Sequence, residues 1–458
     1  YEETTLFKGY PAPRPWYPFT GNVYQEILPA AGAGYPYSIK ALFLHKGTPA
    51  LSVPGAQAQI DILTDLDKVP LFFADDIVIG ETSMYADYLF PDLSIWERWG
   101  TPHPTPDVQT RTSKVRQPMV APIPETVTVF GEEMPISMEA VMLAIAERLN
   151  LPGYGKDGFG PGQDFTRPED YYLKMVANLA AGDKPGETVP DADAQEMELF
   201  QKARAHLPSS VYSVERWKKA VGEKWWKKVV YVLNRGGRYE DFDKAYKGKY
   251  MGHAFSGLLN FFVEPVAQAR QSTTGEYFSG LPRFEPVRDA SGKVVSDEEF
   301  PFQLITFKEI FGGQSRTISN YWSQLFLTPE NSVLMNSKDA ERLGLEEGDQ
   351  VRLVSRTNPR GVWQLRNGQE RPVIGKVLPM EGVRPGVVIV SWHYGHWAYG
   401  ASDMVIDGKV VKGDPRRGTG LCPNVVMRID DHLQNVCLTD PIGGSSSFYD
   451  TRVKVIKV

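Results

Sequence analysis

The sequence predicts a mixed chain: a parallel α/β sheet near its start, an irregular middle, and a compact β-barrel at its end. Three observations carry that prediction. Short apolar runs at 39–44, 69–74 and 85–90 alternate with a helical stretch at about 56–66, the pattern of buried parallel strands joined by crossovers. From about 100 to 300 the periodicity gives way to Gly- and Pro-rich connections. From 301 onward, several short strands return with turn residues between them and one short helix. These shifts divide the chain into 1–105, 106–300 and 301–458, in keeping with two to four units for 458 residues.

In the first part, His45-Lys46-Gly47-Thr48-Pro49 closes one apolar run, Asp75-Asp76 the next, and Pro91-Asp92 the third. Ligands of parallel α/β sheets gather at the carboxyl ends of strands, and Gly47, Thr48, Asp75, Asp76, Glu81, Thr82 and Glu97 fall at or just past such ends. Loop and cap chemistry, with Asp and Thr starting the next helix, explains the same residues equally simply.

In the middle, Ser137 caps a helix over 138–149 whose Met142, Ile145, Ala146 and Leu149 share a face. Segments 152–162 and 182–194 read as long surface connections. The runs Trp217-Lys218-Lys219 and Trp225-Trp226-Lys227-Lys228 read as solvated helix faces. Asn234-Arg235-Gly236-Gly237-Arg238 and Ser272-Thr273-Thr274-Gly275-Glu276-Tyr277 read as tight polar turns.

The final part begins with a strand at 302–306. Asn336 or Ser337 caps a short helix over 338–343, Gly344 stops it, and Glu347-Gly348-Asp349 turns the chain into a strand at 350–355 with Val351 and Leu353 inward. Further strands fit 373–378, 386–391 and 452–456. Between them lie Ser391-Trp392-His393-Tyr394-Gly395-His396-Trp397 and the run from Leu438 through Gly443, Gly444, Ser445, Ser446, Ser447, Phe448 and Tyr449. Long apolar side chains almost vanish there, and crowded amides, hydroxyls and aromatics predict a large polar ligand.

Composition narrows the function classes. Apolar content of 42% and charged content of 23% describe a globular chain, and a net charge of -6 speaks against a broad nucleic-acid footprint, which needs clustered Lys and Arg. No apolar run approaches the roughly 20 residues that span a bilayer. With only Cys422 and Cys437, the chain by itself builds neither a disulfide framework nor a four-cysteine zinc or iron–sulfur site. Phosphate-loop, dinucleotide-fingerprint, zincin and nucleophile-elbow motifs are missing. His393 and His396 stand three apart, but their Gly and aromatic neighbours make a loop more natural than a metal-binding helix, so no metal ligand is assigned. Ser445–Ser447 lack an evident base and read as ligand contacts.

Several blocks together resemble one family. Leu42-Phe43-Leu44-His45-Lys46-Gly47-Thr48-Pro49, the Asp76-x-x-x-x-Glu81-Thr82 turn, Ala86-Asp87-Tyr88-Leu89-Phe90-Pro91 and Glu97-Arg98-Trp99-Gly100-Thr101 resemble the third domain of molybdopterin oxidoreductases of the dimethyl sulfoxide reductase superfamily. Thr48 stands where that family often has Asn. Residues 301–458 resemble its C-terminal dinucleotide-binding domain, a double-psi β-barrel, through Thr306, Ser315-Arg316-Thr317, the Asp339 to Val351 block and Asn435-Val436-Cys437-Leu438-Thr439. Tyr394-Gly395-His396-Trp397, the 406–417 block and Asp440-Pro441-Ile442-Gly443-Gly444 are most similar to the tetrathionate reductase branch, with arsenate, selenate, polysulfide and thiosulfate reductases as neighbours.

The resemblance implies a Rossmann-like first part, the barrel at the end, and a bis(molybdopterin guanine dinucleotide) cofactor with molybdenum or tungsten. It implies cofactor contacts from Gly47, Thr48, Asp75, Asp76, Glu81, Thr82, Glu97, Thr306, Ser315, Arg316, Thr317, His396, Asn435, Gly443, Gly444, Ser445, Phe448 and Tyr449. His396 is the candidate for tuning the pterin or the approach of substrate. The family's N-terminal part, with its 4Fe-4S cysteines and metal ligand, has no counterpart here, so the chain is expected to be the C-terminal half of a catalytic subunit. The implied partners are that missing half, a small oxyanion, and an iron–sulfur electron-transfer subunit through which the enzyme reaches a membrane anchor. The implied place is the periplasm or the outer face of the cytoplasmic membrane. A second expectation is a cofactor-binding piece that catalyses nothing alone.

Overall fold

The computed structural model describes residues 1–21, 23–102, 111–123, 125–240, 246–252, 257–311, 317–318, 320–365 and 368–458, of Arg111 only the backbone. They form two compact units, one of 1–89 with 259–458 and one of 90–258.

The first unit carries a three-stranded sheet and a closed barrel. In the sheet, Leu42–His45 and Phe72–Asp76 run parallel with His45 opposite Asp75, and Tyr88–Pro91 flanks the second strand. Between the first two strands, the helices Pro49–Ser52 and Ala56–Leu63 make the crossover and bury Leu51, Ile60, Ile62 and Leu63. The third strand starts later than the apolar run predicts, because Ser83–Tyr85 is a 3-10 turn. Its Ser83 hydroxyl accepts from Gly80 N and donates to Asp76 Oδ2.

The barrel runs in the order Phe302–Phe307, Val387–Ser391, Ser332–Met335, Ile374–Pro379, Gln350–Val354, Arg452–Lys457 and closes on itself. Parallel pairs join the first strand to the second and the third to the fourth, and the other pairs are antiparallel. Alternation decides which side chains fill it: Phe302, Leu304, Val333, Met335, Val351, Leu353, Val377, Val388, Val390 and Val453 form one core. Each such burial is worth about 1.5–3 kcal/mol. The short helix Ser337–Leu343 has Asn336 as its cap, accepting from Lys338 N, and ends at Gly344 in the left-handed region at φ 65°.

The second unit packs the helices Pro168–Ala181, Ala194–Arg204, Val214–Val221 and Glu223–Asn234 around Leu173, Phe200, Trp217, Trp226 and Val229. Trp217 and Trp226 point into that core while most of the neighbouring lysines stay outside, so both Trp-Lys runs are amphipathic helix faces. The helix Met138–Arg148 begins at Ser137, whose hydroxyl accepts from Ala140 N, and packs on the hairpin of Thr126–Val129 and Glu132–Pro135.

Candidate functional site

Parallel pairing places Phe307 opposite Ser391, so two barrel strands end at one rim and deliver Lys308 and Trp392 side by side. Trp392 N donates to Phe307 O, and the chain then turns through His393, Tyr394 and Gly395 to His396. Gly395 N donates to Thr419 O, and Tyr399 N donates to Ile79 O, which ties this loop to the segment carrying Glu81. Thr48, Leu51, Ser52, Lys308, Trp392, His393, Tyr394, His396, Cys422 and Asn424 line a cavity of about 160 Å³.

Behind that wall, Glu81 is wholly buried and gathers three donors on one oxygen. His396 Nδ1 lies 2.9 Å from Oε1, Trp397 N donates at 3.0 Å and Ala398 N at 3.1 Å. Burial alone would raise this carboxyl, but the His396 charge and hydrogen bond with the backbone donors outweigh it and hold Glu81 below the ordinary carboxylate range. Thr82 Oγ1 accepts from Ala50 N at 3.0 Å beside Thr48, and Asn424 Nδ2 donates to Leu51 O at 2.8 Å, so the Pro49–Ser52 turn is fixed from two sides.

Several buried polar atoms here have no partner among the described residues: Thr306 Oγ1, Ser391 Oγ, Trp392 Nε1, His393 Nε2, His396 Nε2, Asn424 Oδ1 and Glu81 Oε2. Leaving one such group unpaired costs about 1–3 kcal/mol, so a cluster of them is the signature of a polar ligand or ordered water. Burial, with the charges of His396 and Lys308, pushes the His393 imidazole down to about 4, making it a neutral ring at neutral pH. Burial pushes the Cys422 thiol up to about 12 and the Cys437 thiol up to about 11. Both are protonated thiols rather than reactive thiolates.

A second cavity, of about 450 Å³, is lined by Tyr17, Ser272, Asp289, Asp430, Thr439, Ser445 to Asp450 and their neighbours. Tyr17 Oη lies 2.9 Å from Thr439 Oγ1, and Ala290 N donates to Asp430 Oδ2 at 2.7 Å. Trp392 of the first cavity meets Phe448 of the second edge to face, ring centroids 4.9 Å apart. The two cavities therefore share one aromatic contact.

The expected site residues divide accordingly. Thr48 and His396 line the first cavity, with Glu81 and Thr82 directly behind them. Ser445, Phe448 and Tyr449 line the second. Thr306 is buried near the barrel rim. Others are engaged in the frame. Asp75 bonds His45 Nδ1 at 2.7 Å, Asp76 accepts from Ile77 N and Ser83, and Asn435 accepts from Arg14 and donates to Pro29 O. Gly443 and Gly444 form the turn held by Asp440, which accepts from Gly443 N. A Cβ on Gly47 would meet the ends of the Tyr24 and Leu44 side chains. Glu97 belongs to the 90–258 unit, where it accepts from Ser94 N. Thr317 closes a short turn by accepting from Asn320 N, and Ser315 and Arg316 lie outside the described residues. Sequence reasoning missed Ser52, Lys308 and Asn424. It noted Trp392 only as part of a polar run, and His393 there and in the His393–His396 spacing that it set aside as a metal pair.

Comparison with known proteins accounts for this arrangement. The family profile described as Molydopterin dinucleotide binding domain matches residues 302–436, the span from the first barrel strand past the cavity loop. The chain belongs to the dimethyl sulfoxide reductase superfamily of molybdopterin oxidoreductases and corresponds to the C-terminal part of their catalytic subunits. A selenate reductase subunit of Mesobacillus selenatarsenatis is 52% identical over the whole chain, which spans 44% of that protein. A tetrathionate reductase subunit of Salmonella typhimurium is 34% identical over 90% of the chain and 38% of that protein. The molybdopterin-containing ArrA subunit of the arsenate respiratory reductase from a Shewanella species is 24% identical over 92% of the chain and 45% of that protein. The chain thus spans less than half the length of each of these relatives.

The residues present fit the dinucleotide cofactor that this domain implies. A pterin needs paired donors and acceptors at short range, and the first cavity presents unpartnered Trp392 Nε1, His393 Nε2, His396 Nε2 and Asn424 Oδ1. A nucleotide arm needs hydroxyls and amides, and the second cavity presents Ser445, Ser446, Ser447 and Thr439.

Proposed function

We propose that the chain is the cofactor-holding part of a respiratory oxyanion reductase, with a selenium oxyanion as the first substrate to test. The observation that carries this reading is the cluster of unpartnered buried polar atoms on the barrel rim, all but that of Glu81 within the span matched by the dinucleotide-binding family. The 52% identity to a selenate reductase subunit over the whole chain favours selenate. The 34% identity to a tetrathionate reductase subunit supports a sulfur oxyanion as the second reading.

When bound, the molybdenum or tungsten dinucleotide cofactor supplies two-electron redox chemistry that side chains lack. The chain's own residues bind and orient. Trp392, Asn424, His393 and His396 offer hydrogen bonds to a pterin edge, Lys308 offers a positive charge at the same rim, and Ser445 to Ser447 offer hydroxyls to a phosphate-bearing arm. Thr306, Glu81, Thr82 and Thr48 complete the first wall, and a Rossmann-like sheet and a double-psi barrel are the folds this reading assigns to the two supporting elements. The remaining length of the relatives is where the reading places the metal ligand and a 4Fe-4S cluster. An iron–sulfur partner subunit, membrane attachment through it, and a periplasmic site belong to the same proposal. Among the described residues no helix is long and apolar enough to cross a membrane.

The test is purification of the full-length enzyme, assay of its molybdenum and guanine dinucleotide, and measurement of selenate, tetrathionate and arsenate reduction with a reduced viologen donor. Stoichiometric cofactor with turnover of selenate or tetrathionate is expected. A full-length enzyme without pterin, or turnover by the 458-residue chain alone, would refute the reading.

A further inference from the structure

We infer that Glu81 is a positioning residue that locks the His396 ring with Nδ1 as donor, so that Nε2 is the ring atom presented to the pterin edge. The inference rests on the cofactor reading above and extends it to one atom and its orientation.

Glu81 Oε1 receives Trp397 N and Ala398 N, both obligate donors, together with His396 Nδ1 at 2.9 Å. An oxygen already accepting from two backbone N–H groups is an acceptor toward the imidazole, so Nδ1 carries the proton. The other nitrogen, Nε2, is buried and without a partner among the described residues, on a ring that lines the cavity. With Nδ1 committed to Glu81, Nε2 is the ring atom left to hydrogen-bond the pterin edge.

The charged and titratable surroundings are few. Arg371 donates to His396 O and Gly418 O, Lys308 and the neutral His393 stand on the same cavity wall, Cys422 is a protonated thiol, and the Tyr399 ring lies edge-on to His396 at 4.9 Å. Glu81 and His396 are 315 positions apart and both nearly inaccessible, so the pair is built by the fold at the cost of burying a carboxylate. Backbone support alone asks for no imidazole there, since Trp397 N and Ala398 N already engage the same oxygen.

The experiment uses the full-length metal-loaded enzyme with Glu81→Met, which removes the acceptor, His396→Gln, and both together, read by dinucleotide content and by the electron paramagnetic resonance signal of the metal. If the wild type holds no dinucleotide, the cofactor reading fails. If it does, both single variants should shift the signal in the same direction and the double variant no further. An unchanged signal in Glu81→Met with full cofactor, or additive shifts, would overturn the inference. If Glu81→Met does not load, the double variant decides, since the glutamine amide introduced at position 396 reaches the Nε2 position and needs no carboxylate to orient a ring. Restored loading supports the positioning role, and failure to restore it assigns Glu81 to folding of the loop alone.

Discussion

Gly395 is the position where a single methyl should do most damage to the cavity. Its φ is 72°, in the left-handed region, and a Cβ there would stand 2.6 Å from Leu421 C and closer still to Cys422 N. Both obstacles are backbone, and Leu421 is itself fixed, since Asn331 accepts from its N–H and donates to its carbonyl. A non-glycine residue in that region costs about 1–2 kcal/mol, and overpacking against atoms that cannot yield adds about 1–3 kcal/mol. Gly395→Ala should therefore lose roughly 3 kcal/mol, or roughly 6–12 °C in the midpoint of the unit that contains it at about 2–4 °C per kcal/mol. Gly382→Ala is the control, because a Cβ there meets nothing within 4 Å. The assay is thermal unfolding of the full-length enzyme with dinucleotide content measured on the same samples. Equal midpoints and equal cofactor in the two variants would show that the 394–397 loop tolerates a shift toward residue 422 and that the cavity wall is not fixed as described.

Other perturbations separate ligand contacts from frame. Thr306→Val removes a buried hydroxyl without a partner among the described residues, so the cofactor-free chain should gain about 1 kcal/mol while the loaded enzyme loses cofactor faster; slower loss would deny the hydroxyl a ligand. Replacing Ser445, Ser446 and Ser447 by Ala should lower guanine content by nucleotide analysis with little change in melting temperature, and unchanged content would remove the second cavity from the site. In the 90–258 unit, burial raises Asp170 to about 6. An acid whose folded pKa lies above its unfolded one leaves stability whole below the unfolded value near 3.8, and that stability falls as pH climbs toward about 6. The cost above that point is on the order of 2–3 kcal/mol. Asp170→Asn, which can still accept from Thr166 N and Arg167 N, should flatten the decline in a pH series of urea unfolding, and an unchanged slope would assign it to another group.

What could be read from the sequence was local, and what could not was pairing. Val351 and Leu353 alternate inward because a strand has period two, Ser137 and Asn336 cap helices because their side chains accept orphan N–H groups, and Gly344 ends one because it enters the left-handed region freely. None of those statements needs a distant residue. Barrel closure does: Phe302–Phe307 lies between Val387–Ser391 and Arg452–Lys457, and no periodicity reveals such neighbours. The site shows the same division. Thr48 and His396 were legible as polar residues at a strand end and in a Gly-rich loop, and Ser445 as a hydroxyl in a polar run. Lys308 and Asn424 carried no local signal, since only the shared end of two parallel strands and the anchoring of Asn424 to Leu51 O bring them to the cavity. Glu81 was legible as a residue past a strand end but not as the partner of His396. Its burial could not be guessed, because an isolated Glu is read as exposed until three donors are found around it. The chemistry of this wall thus resides in a long-range hydrogen bond, and the Glu81 and His396 variants test the part of the site that the sequence could not show.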